Sequence, residues 1–166
     1  IGTARHDDDV AALLTQRQQK PQPQNPIAFY GSSSFRLWQR MAQDLNSLDV
    51  VNLGFGGGTN ASGLYHLDTL LTPVRPARVV LYFGENDISA DGLSAESTFH
   101  DLRALHQAIR QRLSHVPVFI LSAKQSLTRV RTEFPEFSQR ESAQFKAFSQ
   151  LAQERPDLMH IPDGPY

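Results

Sequence analysis

Short apolar segments alternate with longer amphipathic segments along most of the chain. Five of the short segments predict strands, at residues 27–30, 50–53, 78–83, 116–121 and 158–161. Their apolar residues are nearly continuous rather than alternating, which is typical of strands buried on both faces. Strands that alternate with helices in this way predict a parallel sheet covered on both sides. The pattern therefore indicates the α/β class, with a five-stranded parallel sheet in a three-layer α/β/α arrangement.

The amphipathic segments carry apolar residues three or four positions apart, which is the spacing of one face of a helix. In the longest of them, Ser94 precedes a stripe that includes Phe99 and Leu102, so Ser94 is the predicted N-cap. The helices predicted between the strands cover residues 35–45, 61–71, 94–114 and 137–154.

The first 25 residues differ in composition from the rest of the chain. Asp7, Asp8 and Asp9 precede a short apolar segment, and acidic residues in a first turn suit the positive end of a helix dipole. We predict a helix that runs to Gln19, followed by a proline- and glutamine-rich connector with three prolines. The predicted organisation is this helix and connector at 1–25, then one domain at 26–166, which is an ordinary domain size.

Charge and composition exclude several classes of function. The chain has 16 Lys and Arg against 17 Asp and Glu, a net charge of −1, so it has no long-range field to hold nucleic acid. It has no cysteine, which excludes thiol catalysis and cysteine-based zinc sites. No apolar run approaches the ~20 residues of a membrane-spanning helix. The sequence leaves open whether the protein is cytoplasmic or secreted after signal removal, and a homo-oligomer is compatible with it.

Three consecutive predicted strands end in residues that suit nucleophilic catalysis. The first is followed by Gly31-Ser32-Ser33-Ser34, the second by a glycine-rich segment at 54–60, and the third by Gly84-Glu85-Asn86-Asp87. In open parallel sheets, ligands bind outside the carboxyl ends of the strands. A serine hydroxyl on a tight turn there can act as a nucleophile. Glycine N–H groups and an asparagine amide can stabilise an oxyanion beside it.

Each of these motifs alone also fits a simpler role, such as a helix cap, a phosphate cradle or a surface turn. A dinucleotide site is disfavoured, because Thr59 stands where the third glycine of Gly-x-Gly-x-x-Gly belongs. No two histidines stand four residues apart on a helix, and the sequence predicts neither a metal site nor a cofactor. The occurrence of all three motifs at successive strand ends is what favours catalysis.

The three motifs resemble those of the SGNH (GDSL) hydrolase superfamily. That family has Gly-Asp-Ser after its first strand, an oxyanion glycine after the second and Gly-x-Asn-Asp after the third. Residues 31–38 also fit the Gly-Ser-Ser-Ser-x-Arg-Leu-Trp form of one branch, and the resemblance covers about residues 26–162. It implies a flavodoxin-like fold and an esterase or lipase-like serine hydrolase that works through an acyl-enzyme.

The resemblance assigns roles by position in these motifs. Ser33 is the implied nucleophile, and Gly57 and Asn86 are the implied oxyanion donors. The substrate is expected to be a small-molecule carboxylic ester with an acyl or acetyl group. The alternative is a catalytically degenerate SGNH-like domain that binds a small ester or a carbohydrate. Residues expected to contact the substrate are Ser32, Ser34, Gly56, Gly58, Asp87 and Lys124.

The sequence departs from the family pattern at two places. Ser32 replaces the aspartate beside the nucleophile, which the serine-rich branch tolerates. The family takes its base from Asp-x-x-His after the fifth strand, whereas Asp163-Gly164-Pro165-Tyr166 has tyrosine in the histidine position. Either an Asp-x-x-His segment follows Tyr166, which we expect, or the protein is a degenerate member. Within the sequence, His160 near the end of the last predicted strand is the candidate base.

The other histidines are expected away from the site. His6 is expected to be exposed in the N-terminal tail, and His66 and His100 to lie on helix surfaces. His106 falls on an apolar stripe at the edge of the core, and His115 ends a helix, where positive charge is favourable.

Overall fold

The computed structural model describes residues 6–124, 135–155 and 159–161, with side chains described at 6–124 and 141–155. The strands are β1 (Ile27–Gly31), β2 (Val50–Gly54), β3 (Arg78–Tyr82), β4 (Val118–Leu121) and β5 (Met159–Ile161). They form a sheet in the order β2-β1-β3-β4-β5, and neighbouring strands are all parallel. The predicted α/β fold with a parallel sheet is therefore confirmed.

The strand order places β1 between β2 and β3. In register, Gly31 at the end of β1 pairs with Gly54 on one side and with Tyr82 on the other. The carboxyl ends of these three strands therefore lie side by side, and we call this border of the sheet the carboxyl edge. The chain leads from β1 to β2 on one side of the sheet and from β3 to β4 on the other side. Parallel sheets bind ligands at such a point, where the direction of the connections reverses.

Seven α-helices are described between and around the strands. The predicted N-cap Ser94 is confirmed, because its hydroxyl accepts a hydrogen bond from the Ser97 amide at 3.2 Å. The predicted helix at 61–71 divides into α4 (Asn60–Tyr65) and a π-helical turn at Leu67–Leu71, and a 3₁₀ turn at Thr72–Val74 follows. The helices are α1 (Asp7–Gln19), α2 (Ser33–Arg36), α3 (Met41–Asp44), α4 (Asn60–Tyr65), α5 (Glu85–Ser89), α6 (Ala95–Arg112) and α7 (Pro135–Gln153).

The prediction of one helix over 35–45 is wrong, because the chain forms α2 and α3 with a turn between them. Trp38 lies in this turn, where its ring packs edge-on against Phe29 with centroids 6.4 Å apart. Its indole N–H donates to Asp44 Oδ2 at 2.7 Å. A continuous helix would be favoured by local apolar spacing alone, so the contact of Trp38 with the sheet overrides that preference.

The two faces of the sheet are buried to different degrees. The first face packs under α1, α4, α6 and α7 in one large core, and its strand residues are almost fully buried except for Val51, which is half-buried. The second face packs under α2 and α3, and several of its strand residues are only half-buried. Strand residues of the first face are Ala28, Tyr30, Val51, Leu53, Val79, Leu81, Val118 and Ile120, and those of the second are Phe29, Val50, Val80, Tyr82 and Leu121.

Helix α1 confirms the predicted helix that ends at Gln19. Val10 is buried in the core of the first face, and the Arg17 guanidinium donates to the Leu70 carbonyl at 3.3 Å. Within the described ranges, no helix has the length and apolar character that crossing a bilayer requires.

Candidate active site

The serine turn lies at the carboxyl edge directly after β1. The Ser32 amide donates to the Tyr82 carbonyl at 3.1 Å, which fixes the turn against the end of β3. The Ser32 carbonyl in turn accepts from the amides of Phe35 and Arg36 and starts α2 at Ser33. A Cβ on Gly31 would lie 2.6 Å from the Tyr82 carbonyl oxygen, so only glycine permits this approach.

The three serines of this turn have different surroundings. Ser32 is buried, and its hydroxyl has no hydrogen-bond partner in the described part of the chain. Ser33, the predicted nucleophile, is partly exposed at the first position of α2. The Ser34 hydroxyl donates to Glu85 Oε2 at 3.3 Å, which links the serine turn to the turn after β3.

The glycine-rich loop after β2 is close to the serine turn. The Phe55 amide donates to the Gly31 carbonyl at 3.1 Å. Gly57 has a φ of 67°, a left-handed conformation that favours glycine. A Cβ on Gly58 would lie 2.9 Å from the ring of Phe55, so a side chain there would displace the packed rings. The loop ends at Thr59, whose side chain forms a reciprocal capping box with Ser62 at the start of α4.

Asn86 and Asp87 connect the turn after β3 to this glycine-rich loop. The Asn86 Nδ2 donates to the Gly58 carbonyl at 2.9 Å, and the Asn86 side chain is buried. The fully buried Asp87 accepts from both the backbone amide and the side-chain Nδ2 of Asn60, each at 3.1 Å from Oδ1. Asn86 therefore binds the loop at Gly58, and Asp87 binds the start of the following helix at Asn60.

Two groups at the carboxyl edge have strongly perturbed acidity. Burial raises the pKa of the Asp87 carboxyl to about 6, against the lowering effect of the Asn60 hydrogen bonds. Burial, and then the charge of Glu85, raises the pKa of the Tyr82 phenol well above its ordinary value. The Tyr82 hydroxyl also accepts from the Lys124 amide at 3.4 Å, so the end of β4 joins the same edge.

The predicted site residues are thus distributed over adjoining turns of one edge. Hydrogen bonds directly connect the serine turn, the glycine-rich loop and the Asn86 turn. The Lys124 side chain is exposed. His160 pairs with Ile120 through the backbone of β5, but its side chain is outside the described residues, as are Asp163 and Tyr166.

Three of the expectations for histidines are wrong. His6 is 2% exposed, and its Nδ1 lies 2.9 Å from the Gly56 carbonyl oxygen. His66 is 4% exposed, and burial, followed by the nearby His6, lowers its pKa. Both rings pack edge-on against Phe55, at centroid distances of 5.1 and 5.6 Å. His100 is exposed and His106 is half-buried, as predicted, whereas His115 lies in a turn beyond the end of α6 at Arg112 and not at the helix end.

Sequence comparison identifies the family. The model of the GDSL-like lipase/acylhydrolase family matches residues 14–161. The chain belongs to this family. Hydrolysis of an ester is therefore the general activity of its class, and the predicted membership of the SGNH (GDSL) superfamily is confirmed. The comparison with curated proteins found no match.

Solved structures with similar folds include several lipases and esterases. A GDSL-like lipase from Bacteroides thetaiotaomicron has a TM-score of 0.68 at 18% identity, covering 92% of this chain and 77% of that chain. A lipase/acylhydrolase from Enterococcus faecalis has a TM-score of 0.59 at 21% identity, covering 82% and 75%. The psychrotrophic esterase EstA from Pseudoalteromonas has a TM-score of 0.58 at 18% identity, covering 84% and 77%. At these identities the similarity concerns the fold.

Proposed function

We propose that the protein is a serine hydrolase of the SGNH type, which cleaves a small carboxylic ester through an acyl-enzyme. The observation that carries the proposal is the 2.9 Å hydrogen bond from Asn86 Nδ2 to the Gly58 carbonyl. This bond puts the side-chain amide of the third motif beside the residue that follows Gly57. The Asn86 side-chain amide and the backbone amide of Gly57 can both donate to an oxyanion, and they therefore lie in neighbouring positions at the edge that carries Ser33.

In the proposed reaction, the Ser33 hydroxyl oxygen forms a bond to the ester carbonyl carbon as its proton passes to a base. The carbonyl oxygen becomes an oxyanion, which accepts hydrogen bonds from the amides of Ser33 and Gly57 and from the Asn86 side chain. The ester C–O bond then breaks, and the leaving alcohol takes the proton from the base. Water attacks the acyl-enzyme in the same way and releases the acid.

The base in this proposal is a histidine oriented by an aspartate. The family resemblance implies that it comes from an Asp-x-x-His segment that follows the fifth strand. His160, in β5, is the candidate within the present sequence. A histidine is needed because an unactivated serine hydroxyl is a weak nucleophile at neutral pH.

The polar groups around the serine turn support a small, polar ester as the substrate. Ser34, Glu85 and the Tyr82 hydroxyl adjoin one another beside the nucleophile position. Such hydroxyl and carboxylate groups can accept hydrogen bonds from a hydroxylated leaving group. Ser32, Gly56, Gly58, Asp87 and Lys124 complete the proposed surroundings of the ester.

Labelling with a fluorophosphonate tests the proposal, because such a probe reacts with an activated serine and not with an ordinary one. We expect one label per chain, mapped by peptide mass spectrometry to Ser33. Ser33→Ala should abolish labelling and turnover of p-nitrophenyl acetate. Ser34→Ala, which removes a neighbouring hydroxyl, should still be labelled at Ser33. Binding of a small ester or carbohydrate without labelling would instead support the degenerate binding domain.

A further inference from the structure

The start of α1 forms hydrogen bonds with the glycine-rich loop at Gly56. Asp9 Oδ2 accepts a hydrogen bond from the Gly56 amide at 2.6 Å. The Nδ1 of His6 lies 2.9 Å from the Gly56 carbonyl oxygen, and this nitrogen must be the donor because a carbonyl can only accept. Both polar groups of the Gly56 backbone are therefore bonded to side chains from the start of the chain.

The contact at Gly56 is tight and includes the helix that begins at Ser33. Asp9 Oδ2 also lies 3.5 Å from Nε of Arg36, the last residue of α2. A Cβ on Gly56 would lie 2.9 Å from Asp9 Oδ2 and 3.3 Å from Arg36 Nε. The ion pair is partly exposed and so contributes little by itself. The hydrogen bond from the amide to a carboxylate is the stronger contact.

Gly57 lies between two such contacts. On one side, Gly56 is bonded to His6 and Asp9, and on the other side the Gly58 carbonyl accepts from Asn86. Gly57 has a φ of 67°, and a glycine can adopt many other backbone conformations. The contacts at Gly56 and Gly58 restrict the loop on both sides and so help to hold the Gly57 N–H in one direction, as donation to a developing oxyanion requires.

We propose that Asp9 is a positioning residue for the oxyanion hole, supported by His6. His6 holds the carbonyl of the Gly56–Gly57 peptide, and Asp9 holds the N–H of the peptide just before it and couples the loop to α2, which carries the nucleophile. This inference rests on the proposed function, since it assigns a role in the same reaction. It gives α1, which precedes the sheet in the chain, a part in the chemistry rather than only in the packing of the first face.

The test compares Asp9→Ala with Asp8→Ala in the full-length enzyme. Both aspartates lie in the first turn of α1, and Asp8 is exposed, so both variants lose the same charge at the same helix end. With p-nitrophenyl acetate as substrate, we expect Asp9→Ala to lower kcat by about 10- to 100-fold with little change in KM, because a misplacement of 1 Å can cost ~10²-fold. Asp8→Ala should match the wild type.

Two further variants separate positioning from folding. Asp9→Glu keeps the charge but displaces the carboxylate by one methylene, and it should lose kcat while Asp8→Glu does not. Asp9→Asn keeps an acceptor oxygen for the Gly56 amide and should recover most of the kcat that Asp9→Ala loses. If Asp9→Ala does not fold, the comparison of the two glutamate variants decides the question.

A second measurement does not depend on turnover. In ¹H–¹⁵N spectra, a phosphonate adduct should shift the Gly57 amide downfield in the wild type and in Asp8→Ala, and much less in Asp9→Ala. Equal kcat and equal Gly57 shifts for the Asp8 and Asp9 variants would overturn the inference while leaving the proposed function intact. Full turnover by Ser33→Ala would instead remove the proposed function on which it rests.

Discussion

At the scale of single residues, Asn86 combines a structural contact with the proposed chemistry. A carboxamide nitrogen carries two protons, and the bond to the Gly58 carbonyl uses one of them. In the proposed reaction the same group donates to the oxyanion when the ester is bound. A side chain with both roles should affect turnover far more than stability, because an oxyanion donor matters most in the transition state.

Asn86→Ala should therefore lower kcat by about 10²- to 10³-fold, which is typical for the loss of one oxyanion donor. The lost bond to Gly58 should cost only about 1 kcal/mol of unfolding free energy. Steady-state kinetics and urea unfolding measure the two effects. Asn86→Asp has nearly the same shape but a carboxylate cannot donate, so it should be comparably slow. Turnover of Asn86→Ala within threefold of the wild type would remove Asn86 from this role.

Asp87 predicts a dependence of stability on pH. Its folded pKa of about 6 is above the ordinary value of 3.8, so the native state holds the proton more tightly than the unfolded chain. As pH rises from about 4 to about 6, the unfolded chain loses this proton first and the free energy of unfolding falls. At ~1.4 kcal/mol per pH unit, the loss is on the order of 3 kcal/mol.

The measurement is urea unfolding of the wild type and Asp87→Asn at several pH values. The difference in unfolding free energy between them should decrease from pH 4 to pH 6 and stay constant above pH 7, since asparagine does not titrate. Asp8→Asn, at an exposed position, serves as the control and should follow the wild type. A constant difference across the whole range would show that Asp87 ionises in the native state as it does in the unfolded chain.

The sequence predicted some of these residues and missed others for a physical reason. Asn86 and Gly57 follow strand ends in short motifs, and the order of parallel strands then places them at one edge. His6 and Asp9 reach Gly56 from about 50 positions away, through a contact that no local pattern encodes. From the sequence, the acidic first turn of α1 indicates only a favourable interaction with the helix dipole, although Asp9 also binds the loop.

At the scale of elements, the strands and the long helix α6 were predictable because burial and capping act locally. The apolar segments correspond to the strands within two residues, and Ser94 caps α6 as its sequence suggests. The division of the segment over 35–45 into two helices was not predictable in this way. Its apolar spacing fits a single helix, and only the sheet provides the competing contact for Trp38. Boundaries of this kind depend on tertiary packing, which overrides helix propensity.

At the scale of the whole molecule, both faces of the predicted sheet are covered, but among the described residues they differ in depth of burial. Nearly continuous apolar strands predicted deep burial on each side. Among the described residues, Val79 is fully buried in the first face, whereas its neighbour Val80 is only half-buried in the second. Among the described residues, those that cover the second face belong to α2, α3 and the turn between them, and each of these helices has four residues, so they remove less apolar area from water.

This asymmetry predicts different costs for the same substitution at adjacent positions. Val79→Ala should lower the free energy of unfolding by about 2–3 kcal/mol, because it removes two buried carbon atoms at ~0.8 kcal/mol each and leaves a cavity. Val80→Ala removes the same atoms from a half-exposed site and should cost about 1 kcal/mol. Both positions lie in the central strand β3, so the loss of β-branching is common to both and cancels in the comparison.

Urea unfolding of the two variants, analysed with a shared slope, gives the comparison directly. A larger cost for Val79→Ala would locate the stability of the fold in the layer formed by α1, α4, α6 and α7. It would also mean that the second face tolerates change, although it lies beneath the helix that carries Ser33. Equal costs would contradict the asymmetry, because they would require Val80 to be as deeply buried in solution as Val79.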